Sequence, residues 1–599
     1  MKIPSLFSLW HNTLAIIKRF PLQFLFVLMA TITACWLVEL DYHARLLNDN
    51  LVKLLAICNI GLAASLAGDL YCETHGVNAT KKYVLRAIII MGCAAVFFLL
   101  QPQQYEADVY KLVLLAIACH LLVSFAPFLT QGLINGFWQF NKTLFLRFVT
   151  GVLYTLVLYA GLAIALFAMN KLFALDLRTA YYQHLFLLLG IGFNTLFFLG
   201  GIPPNLILLE QQNDYPKGLK IFTQYVLIPL MSIYLLILLV YEIKIIFDWE
   251  LPKGLVSNLI IGYAFFGILS LLLIYPISNT AGNKWITLFS KGFYLMMIPL
   301  LILLLLAIYK RIGSYGFTEF RYFLVALSVW LTLITLYFLY SKAQNIKFIP
   351  ISLCAITVLA IYGPQSASYI TRSSQTKRLK TLITKTDAIS AQEKASIVRY
   401  LVGHYGLSSL HAFTDINLDS LEKSFNDKRP TASSYSISEE KIDTAYILLT
   451  IDPKLADPNS RNYSVGIPNP RLIPVKDWEY MVAIDNYQQD VQTRIGTDSL
   501  SVNINSERRS YSIKIGDDQH LFKLDSLIAH IEKAHNQHTL VTNQDLGNNF
   551  YYPAEEMEFT AQVGKYLIKL TIIELYINHY NPDNLYINAK ANILLKKKE

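Results

Sequence analysis

Three ionisable residues stand where ionisable residues are costly. His120 lies in the middle of an apolar run, and Glu319 and Arg321 sit in Tyr315-Gly-Phe-Thr-Glu-Phe-Arg-Tyr322 between two more such runs. An imidazole at membrane depth can relay a proton or bind a ligand, or it can satisfy itself against a helix interior. Glu319 and Arg321 are two positions apart, so on a helix they point in different directions and do not pair. Thr318 can cap that helix, with Glu319 gaining about 0.3–1 kcal/mol from the dipole of the first turn. Arg321, among Phe320, Tyr322 and Phe323, has no polar stripe to lie on and is expected to face inward. On this reading Glu319→Gln costs little, because the Thr318 cap remains. Asn59, Asn194 and Asn258 read as helix–helix contacts. Asp69 and Glu242 read as solvated near span ends.

Motifs for catalysis are lacking. There is no GxSxG, no phosphate loop of the GxxxxGK[ST] type and no GxGxxG. His530, His535 and His538 with Glu532 invite a metal reading, but the spacing is not HExxH, and positions five apart leave a common helix face. They read as a solvated helix end. The six cysteines, Cys35, Cys58, Cys72, Cys93, Cys119 and Cys354, form no CxxC pair. No catalytic residue, metal or cofactor is therefore assigned. His120, Glu319 and Arg321 remain as candidate functional residues.

Composition names the environment. Of 599 residues 54 % are hydrophobic and 16 % charged, with mean hydropathy +0.40; soluble chains carry about 25 % charge. Residues 1–364 hold 24 Lys+Arg against 14 Asp+Glu, whereas residues 365–599 hold 27 against 28. The excess positive charge thus flanks the apolar segments, where it meets lipid headgroups. The near-neutral tail has no basic patch for nucleic acid.

About 20 apolar residues cross a bilayer, and eleven such runs occur: 20–40, 51–70, 83–100, 112–129, 148–169, 185–202, 222–241, 255–275, 293–309, 322–340 and 348–362, the last the shortest. Leu6, Trp10, Leu14 and Ile17 recur at helical spacing in residues 1–19, as in a helix lying on the membrane. The aromatic stretch around Phe137 and Trp138 reads as a headgroup-depth anchor. Flanking cations give a slight bias for an inside N-terminus. The cluster Arg372, Lys377, Arg378, Lys380 and Lys385 offsets it, and orientation then rests on the first helix. With an odd number of spans, the C-terminal domain is expected to be extracytoplasmic.

Beyond Pro364 the pattern becomes helical and polar. Residues 365–425 read as a linker, with Ser390-Ala-Gln-Glu393 as a capping box opening a helix to about Val402. From about Asn426 to Glu599 a β-rich soluble domain is expected. Leu500, Val502 and Ile504 alternate with polar residues, as do Tyr511, Ile513 and Ile515 before a Gly516-Asp-Asp turn. Leu585, Ile587, Ala589, Ala591 and Ile593 share one face. A helix over about Asp525–Ala534 interrupts the strands.

Several segments, in order, resemble one known family: Gly136-Phe-Trp-Gln-Phe-Asn-Lys142, Leu251-Pro-Lys-Gly-Leu-Val-Ser257, Tyr309 to Tyr322, Gly363-Pro-Gln-Ser-Ala367, and Ser374-Gln-Thr-Lys-Arg-Leu379. The family is DUF4153, of bacterial polytopic membrane proteins. The resemblance covers most of the membrane half and the linker, with Gln365 where the family pattern carries tryptophan. It implies a multi-pass protein of the bacterial inner membrane. The family has no defined activity, so no catalytic residue carries over.

The fold class is an α-helical polytopic membrane domain of about eleven spans with a C-terminal antiparallel β-rich domain. The leading functional expectation is non-enzymatic: a bundle coupled to a domain that binds a protein or small-molecule partner. A small-solute transporter comes second and a membrane-embedded enzyme of lipid or glycan metabolism third. A polar cavity at mid-depth would favour transport, an interfacial acidic or histidine cluster an enzyme, and a dry bundle binding.

Overall fold

A computed structural model describes residues 6–40, 49–129, 132–248, 255–278, 284–341, 345–385, 388–427, 434–451, 463–467, 475–484, 490–505, 509–536, 540–542, 549–581 and 584–598. The chain divides into two units. The first comprises residues 1–384 and 397–445, the second residues 385–396 and 446–599.

The first unit is helical. A short helix α1 (Leu6–Arg19) precedes α2 (Pro21–Glu39), α3 (Asp49–Thr74), α4 (Ala79–Leu99), α5 (Glu106–Phe125) and α6 (Ile134–Phe173). Then come α7 (Thr179–Gly200), α8 (Lys217–Asp248), α9 (Leu255–Ile274), α10 (Lys284–Tyr315), α11 (Glu319–Tyr340) and α12 (Phe348–Ile361). Ten helices among the described residues are long and apolar enough to cross a membrane. The apolar α12, with 14 residues, is shorter. Its flanks nevertheless reach both ends of the bundle. Before it, Lys347 Nζ donates to the carbonyls of Phe128 and Gly132 at 3.0 and 2.6 Å. After it, the Gln365 carbonyl accepts from the Tyr322 hydroxyl at 2.6 Å, and Gln365 Nε2 donates to the last carbonyls of α12. At Gln365, where the resemblance implied tryptophan, an amide thus caps a helix. The end holding Lys347 is called proximal below, and that holding Tyr322 distal.

Helix α6 has 40 residues and rises about 60 Å, twice the roughly 30 Å of hydrocarbon. Its first turns carry the aromatic stretch, and these aromatics are not headgroup anchors. Phe137, Trp138 and Phe140 are buried with Phe128, Leu199 and Leu209, and Trp138 Nε1 donates to the Leu272 carbonyl at 2.7 Å. Helices α7 and α8 each contain a π-turn, Leu188–Phe193 and Thr223–Leu227.

Beyond α12 lie α13 (Ala367–Leu382), α14 (Ala388–Tyr405), α15 (Leu418–Asp427) and α16 (Ser434–Leu448). Helix α14 starts two residues before Ser390, which is a buried first-turn residue rather than the cap. Helix α16 occupies the stretch where strands were expected to begin, and the first strand lies at Tyr463.

Among its described residues the second unit holds eleven strands. β3 (Asp490–Ile495), β4 (Asp498–Asn505), β5 (Ser510–Ile515) and β6 (Asp518–Lys523) form an antiparallel meander. Leu500, Val502 and Ile504 oppose Ile515, Ile513 and Tyr511, as the alternation predicts. The turn between β5 and β6 places Gly516 at φ +58°, a conformation suited to glycine. The larger sheet runs β2 (Tyr480–Ile484), β11 (Asn584–Lys597), β10 (Tyr566–Asn581), β1 (Tyr463–Gly466), β8 (Asn549–Tyr551) and β7 (Val541–Thr542), with β9 (Glu558–Val563) also on β10. All its pairings are antiparallel except β1 with β8. Helix α17 (Asp525–Asn536) adds Leu527, Ile528 and Ile531 to a core that includes Ile587, Ala589, Ala591 and Ile593.

Candidate functional site

The distal end of the first unit gathers the polar chemistry. Helix α10 stops at a turn in which Gly316 takes φ +69° and its N–H bonds back to Ile312. Thr318 then caps α11, accepting from the Arg321 N–H at 3.5 Å. The residue after the cap, Glu319, is 1 % exposed. Its carboxylate accepts from the hydroxyls of Tyr400 and Tyr405, one on each oxygen. Tyr400 also accepts the Glu319 N–H at 3.2 Å. His404 Nε2 stands 3.7 Å from Glu319 and 3.1 Å from Glu106 at the start of α5, while its Nδ1 lies 3.0 Å from the Tyr400 carbonyl. Both ring nitrogens therefore face oxygen atoms. Burial, followed by the negative charge of Glu319, raises the Tyr405 hydroxyl pKa and keeps it a donor.

A second buried carboxylate lies nearby. Glu422 of α15 accepts from the Tyr105 hydroxyl at 3.1 Å, from the Leu407 N–H at 2.6 Å and from Lys441 of α16. Gly406, at φ +77°, brings the backbone against that carboxylate. Arg399 pairs with Glu439 at 2.9 Å. The ends of α5 and α11 and the helical segment 397–445 are thus joined by groups that satisfy one another. A buried carboxylate with this many donors is expensive to disrupt and has few lone pairs left for substrate. The cluster has the residue types of a general acid–base site, but its geometry is that of a clamp.

Arg321 occupies the other side of the turn. Half-buried, it donates through Nη1 to the carbonyls of Tyr315 and Gly316 at 3.2 and 2.8 Å. The expected roles are reversed: Glu319 is the deeply buried residue, and Arg321 braces the turn. His120 lies on an exposed face of α5, with Nδ1 2.8 Å from the carbonyl of Ala116 one turn earlier. The structure does not bring it to the other two.

At the proximal end Asp69 is 1 % exposed rather than solvated. Arg86 grips both its oxygens at 2.9 Å, and Gln23 adds a bond at 3.0 Å. A cavity of about 290 Å³ opens at this same end, lined in part by Ser278, Thr287, Ser290 and Lys291. It is not at mid-depth. Among the described residues no group of three His, Cys, Asp or Glu could hold a metal; the side chains of His535 and His538 lie outside the described residues.

Tyr400, His404, Tyr405, Glu422 and Lys441 were not singled out from sequence. The one signal was the i,i+4 spacing of Tyr400 and His404.

The profile of a domain of unknown function, DUF4153, matches residues 54–399, more than half of the chain. The chain belongs to the DUF4153 family. A relative from Pasteurella multocida (strain Pm70), the uncharacterized protein PM1469, is 25 % identical over 399 residues. The match covers 65 % of this chain and 63 % of the relative. No solved structure matches. The DUF4153 region takes in Asp69, Arg86, Glu106, Glu319 and Arg321, whereas the clamp partners Tyr400, His404, Tyr405, Glu422 and Lys441 lie just beyond it. A DUF4153 chain with ten long apolar helices is an integral, multi-pass membrane protein.

Proposed function

We propose that this is a non-enzymatic envelope protein of the bacterial inner membrane, in which a β-rich binding domain and a membrane bundle are coupled through helix α14. The observation that carries this reading is the Glu319 clamp. Helix α14 is unbroken from Ala388 to Tyr405, and its last turns are fastened to the start of α11 by Tyr400 and Tyr405. A helix is stiff on this length, about 27 Å, so displacement at one end is felt at the other. The near-neutral strand-rich domain suits recognition of a protein or small molecule. With α12 as an eleventh crossing and an inside N-terminus, that domain is extracytoplasmic.

The test is amide exchange on the full chain in lipid nanodiscs, comparing wild type with a Tyr400→Phe/Tyr405→Phe variant. Coupling requires faster exchange in residues 388–396 and 446–451 as well as at the altered turn. A change confined to residues 397–410 would sink the proposal.

A transporter is the second reading, favoured by the π-turns in α7 and α8, since such turns concentrate at functional sites. Among the described residues the Thr223 hydroxyl in one of them is buried without a partner. Reaction of a Thr223→Cys variant with a small aqueous thiol reagent would support a water path there, and protection would remove it.

A further inference from the structure

The geometry points to a binding site for the phosphate of an anionic phospholipid on the distal turn, built by Arg311, Arg321 and Arg378. Three helices deliver these residues: α10, α11 and α13. Arg321 and Arg378 both donate to the Tyr315 carbonyl, at 3.2 and 2.9 Å, so these two guanidinium nitrogens are within about 6 Å of each other. Both also lie over the Tyr315 ring, at 5.4 and 5.7 Å from its centroid. The charges of Arg311 and Arg378, of its own sign, act on Arg321, opposed by Tyr315 and with no carboxylate among them. Among the described residues neither Arg311 nor Arg321 forms an ion pair. Glu319, two positions away, is enclosed by Tyr400, Tyr405 and His404.

The turn itself is independently braced. Gln375 Nε2 donates to the Tyr315 and Phe317 carbonyls, and Ser374 Oγ accepts from the Phe317 N–H. Arg321 also holds the turn, through Nη1. The dipole at the end of α10 accounts for a favourable place for Arg311, but not for two guanidiniums over the Tyr315 ring with the charge of a third acting on one of them. Clustered guanidiniums repel unless an anion lies among them, and their planar donor forks match phosphate oxygens.

A lipid, rather than a free anion, fits the surroundings. Tyr309, Tyr315, Phe320, Tyr362 and Tyr369 are each more than half exposed around this end, as in an aromatic belt at headgroup depth. On α10 the exposed Ile302, Leu305, Leu306 and Tyr309 follow one another at three- and four-residue spacing, giving acyl chains an apolar track toward the basic turn.

The experiment uses full-length protein in detergent, with native mass spectrometry and thermal melting as readouts. The probes are phosphatidylglycerol, phosphatidylcholine and inorganic phosphate at equal concentration. Arg311 makes no contact needed for the turn, so Arg311→Ala tests the site without unfolding it, and Arg311→Lys restores the charge. Wild type should retain phosphatidylglycerol and melt higher with it than with phosphatidylcholine. Arg311→Ala should weaken retention about five-fold, the contribution of one cation near a headgroup surface, while melting like wild type in phosphatidylcholine. Arg311→Lys should recover part of the loss. Equal retention by Arg311→Ala would overturn the site. Equal stabilisation by phosphatidylcholine would overturn its selectivity for anionic headgroups, and equal stabilisation by inorganic phosphate would overturn the lipid assignment.

Discussion

Replacing Tyr405 by phenylalanine removes one oxygen atom and leaves the ring in place. What is lost is a hydroxyl donating to the buried carboxylate of Glu319. Bonds to charged groups contribute about 1.5–3 kcal/mol, more than neutral ones, because the orphaned carboxylate oxygen cannot regain water. At 1.4 kcal/mol per decade, the opened population of the last turns of α14 should rise roughly 10- to 150-fold. Amide exchange reads that population directly when closing outpaces exchange. The Gly406 N–H, bonded to Val402, and the Leu407 N–H, bonded to Glu422, should speed up by that factor. Peptides from α4, which takes no part in the clamp, should not change. The exposed Tyr369 supplies the control: Tyr369→Phe should be silent. Glu319→Gln should also cost about 1–3 kcal/mol, since the amide turns an N–H toward one hydroxyl and loses the charge beside His404. The double variant should cost less than the two single costs added together, because both changes remove the same bond. Strict additivity, or unchanged exchange in Tyr405→Phe, would show that the hydroxyl does not hold this helix end.

Asp69→Asn removes the charge that the half-buried Arg86 guanidinium grips with two bonds, and a loss of about 1–3 kcal/mol is expected, read as a lowered melting temperature in detergent. Gly406→Ala forces a side chain into φ +77° with its Cβ 2.8 Å from Glu422 Oε2; a loss of about 1–3 kcal/mol should appear as faster exchange in residues 405–410. In the β-rich unit the Lys565 ammonium, 2.7 Å away, and then the Tyr566 hydroxyl hold Asp498 below the usual carboxylate range. A depressed carboxylate stabilises the fold above its unfolded pKa and loses that effect as pH falls through the folded value. Asp498→Asn should therefore lower the strand domain's stability at pH 7, with the difference shrinking as pH falls from the ordinary carboxylate range through the lower folded value, as followed by exchange in β4 and β9.

The sequence carried the architecture where one local pattern sufficed. Twenty-residue apolar runs located the helices, and alternation at Leu500–Ile504 and Tyr511–Ile515 located two strands and their inward faces, which the structure pairs as neighbours. It did not carry the clamp, because Tyr400 and Tyr405 are 81 and 86 positions from Glu319 and tyrosine announces no charge. Glu319 was read from its neighbours alone, which see a helix start and not the tyrosines that close over it. The aromatics at Phe137–Phe140 were misread for a similar reason. Their composition is that of a headgroup belt, and only packing against Phe128, Leu199 and Leu209 shows them to be core. Helix α16 was missed because Ser434–Leu448 mixes polar and apolar residues without a clear period.

The topology of the larger sheet also sets an order of events before any native state exists. β3 to β6 pair with their chain neighbours across short turns and can form on the microsecond scale of hairpins. β1 meets β10, and β2 meets β11, across more than 100 intervening positions, so closing that sheet is the slow step. During the wait β10 (Tyr566–Asn581) is paired with its chain neighbours β9 and β11, but its stretch Glu574–Ile577, which β1 will cover, keeps an open edge of the kind that pairs with other chains. Lys569 and Glu574 interrupt the apolar run of β10. In the finished sheet Lys569 meets Glu558 at 2.7 Å and Glu574 accepts from Ser464 at 3.2 Å. In the nascent chain the Glu574 charge acts as a gatekeeper on the stretch that waits for β1, while Lys569 lies where β9 and β11 already flank the strand.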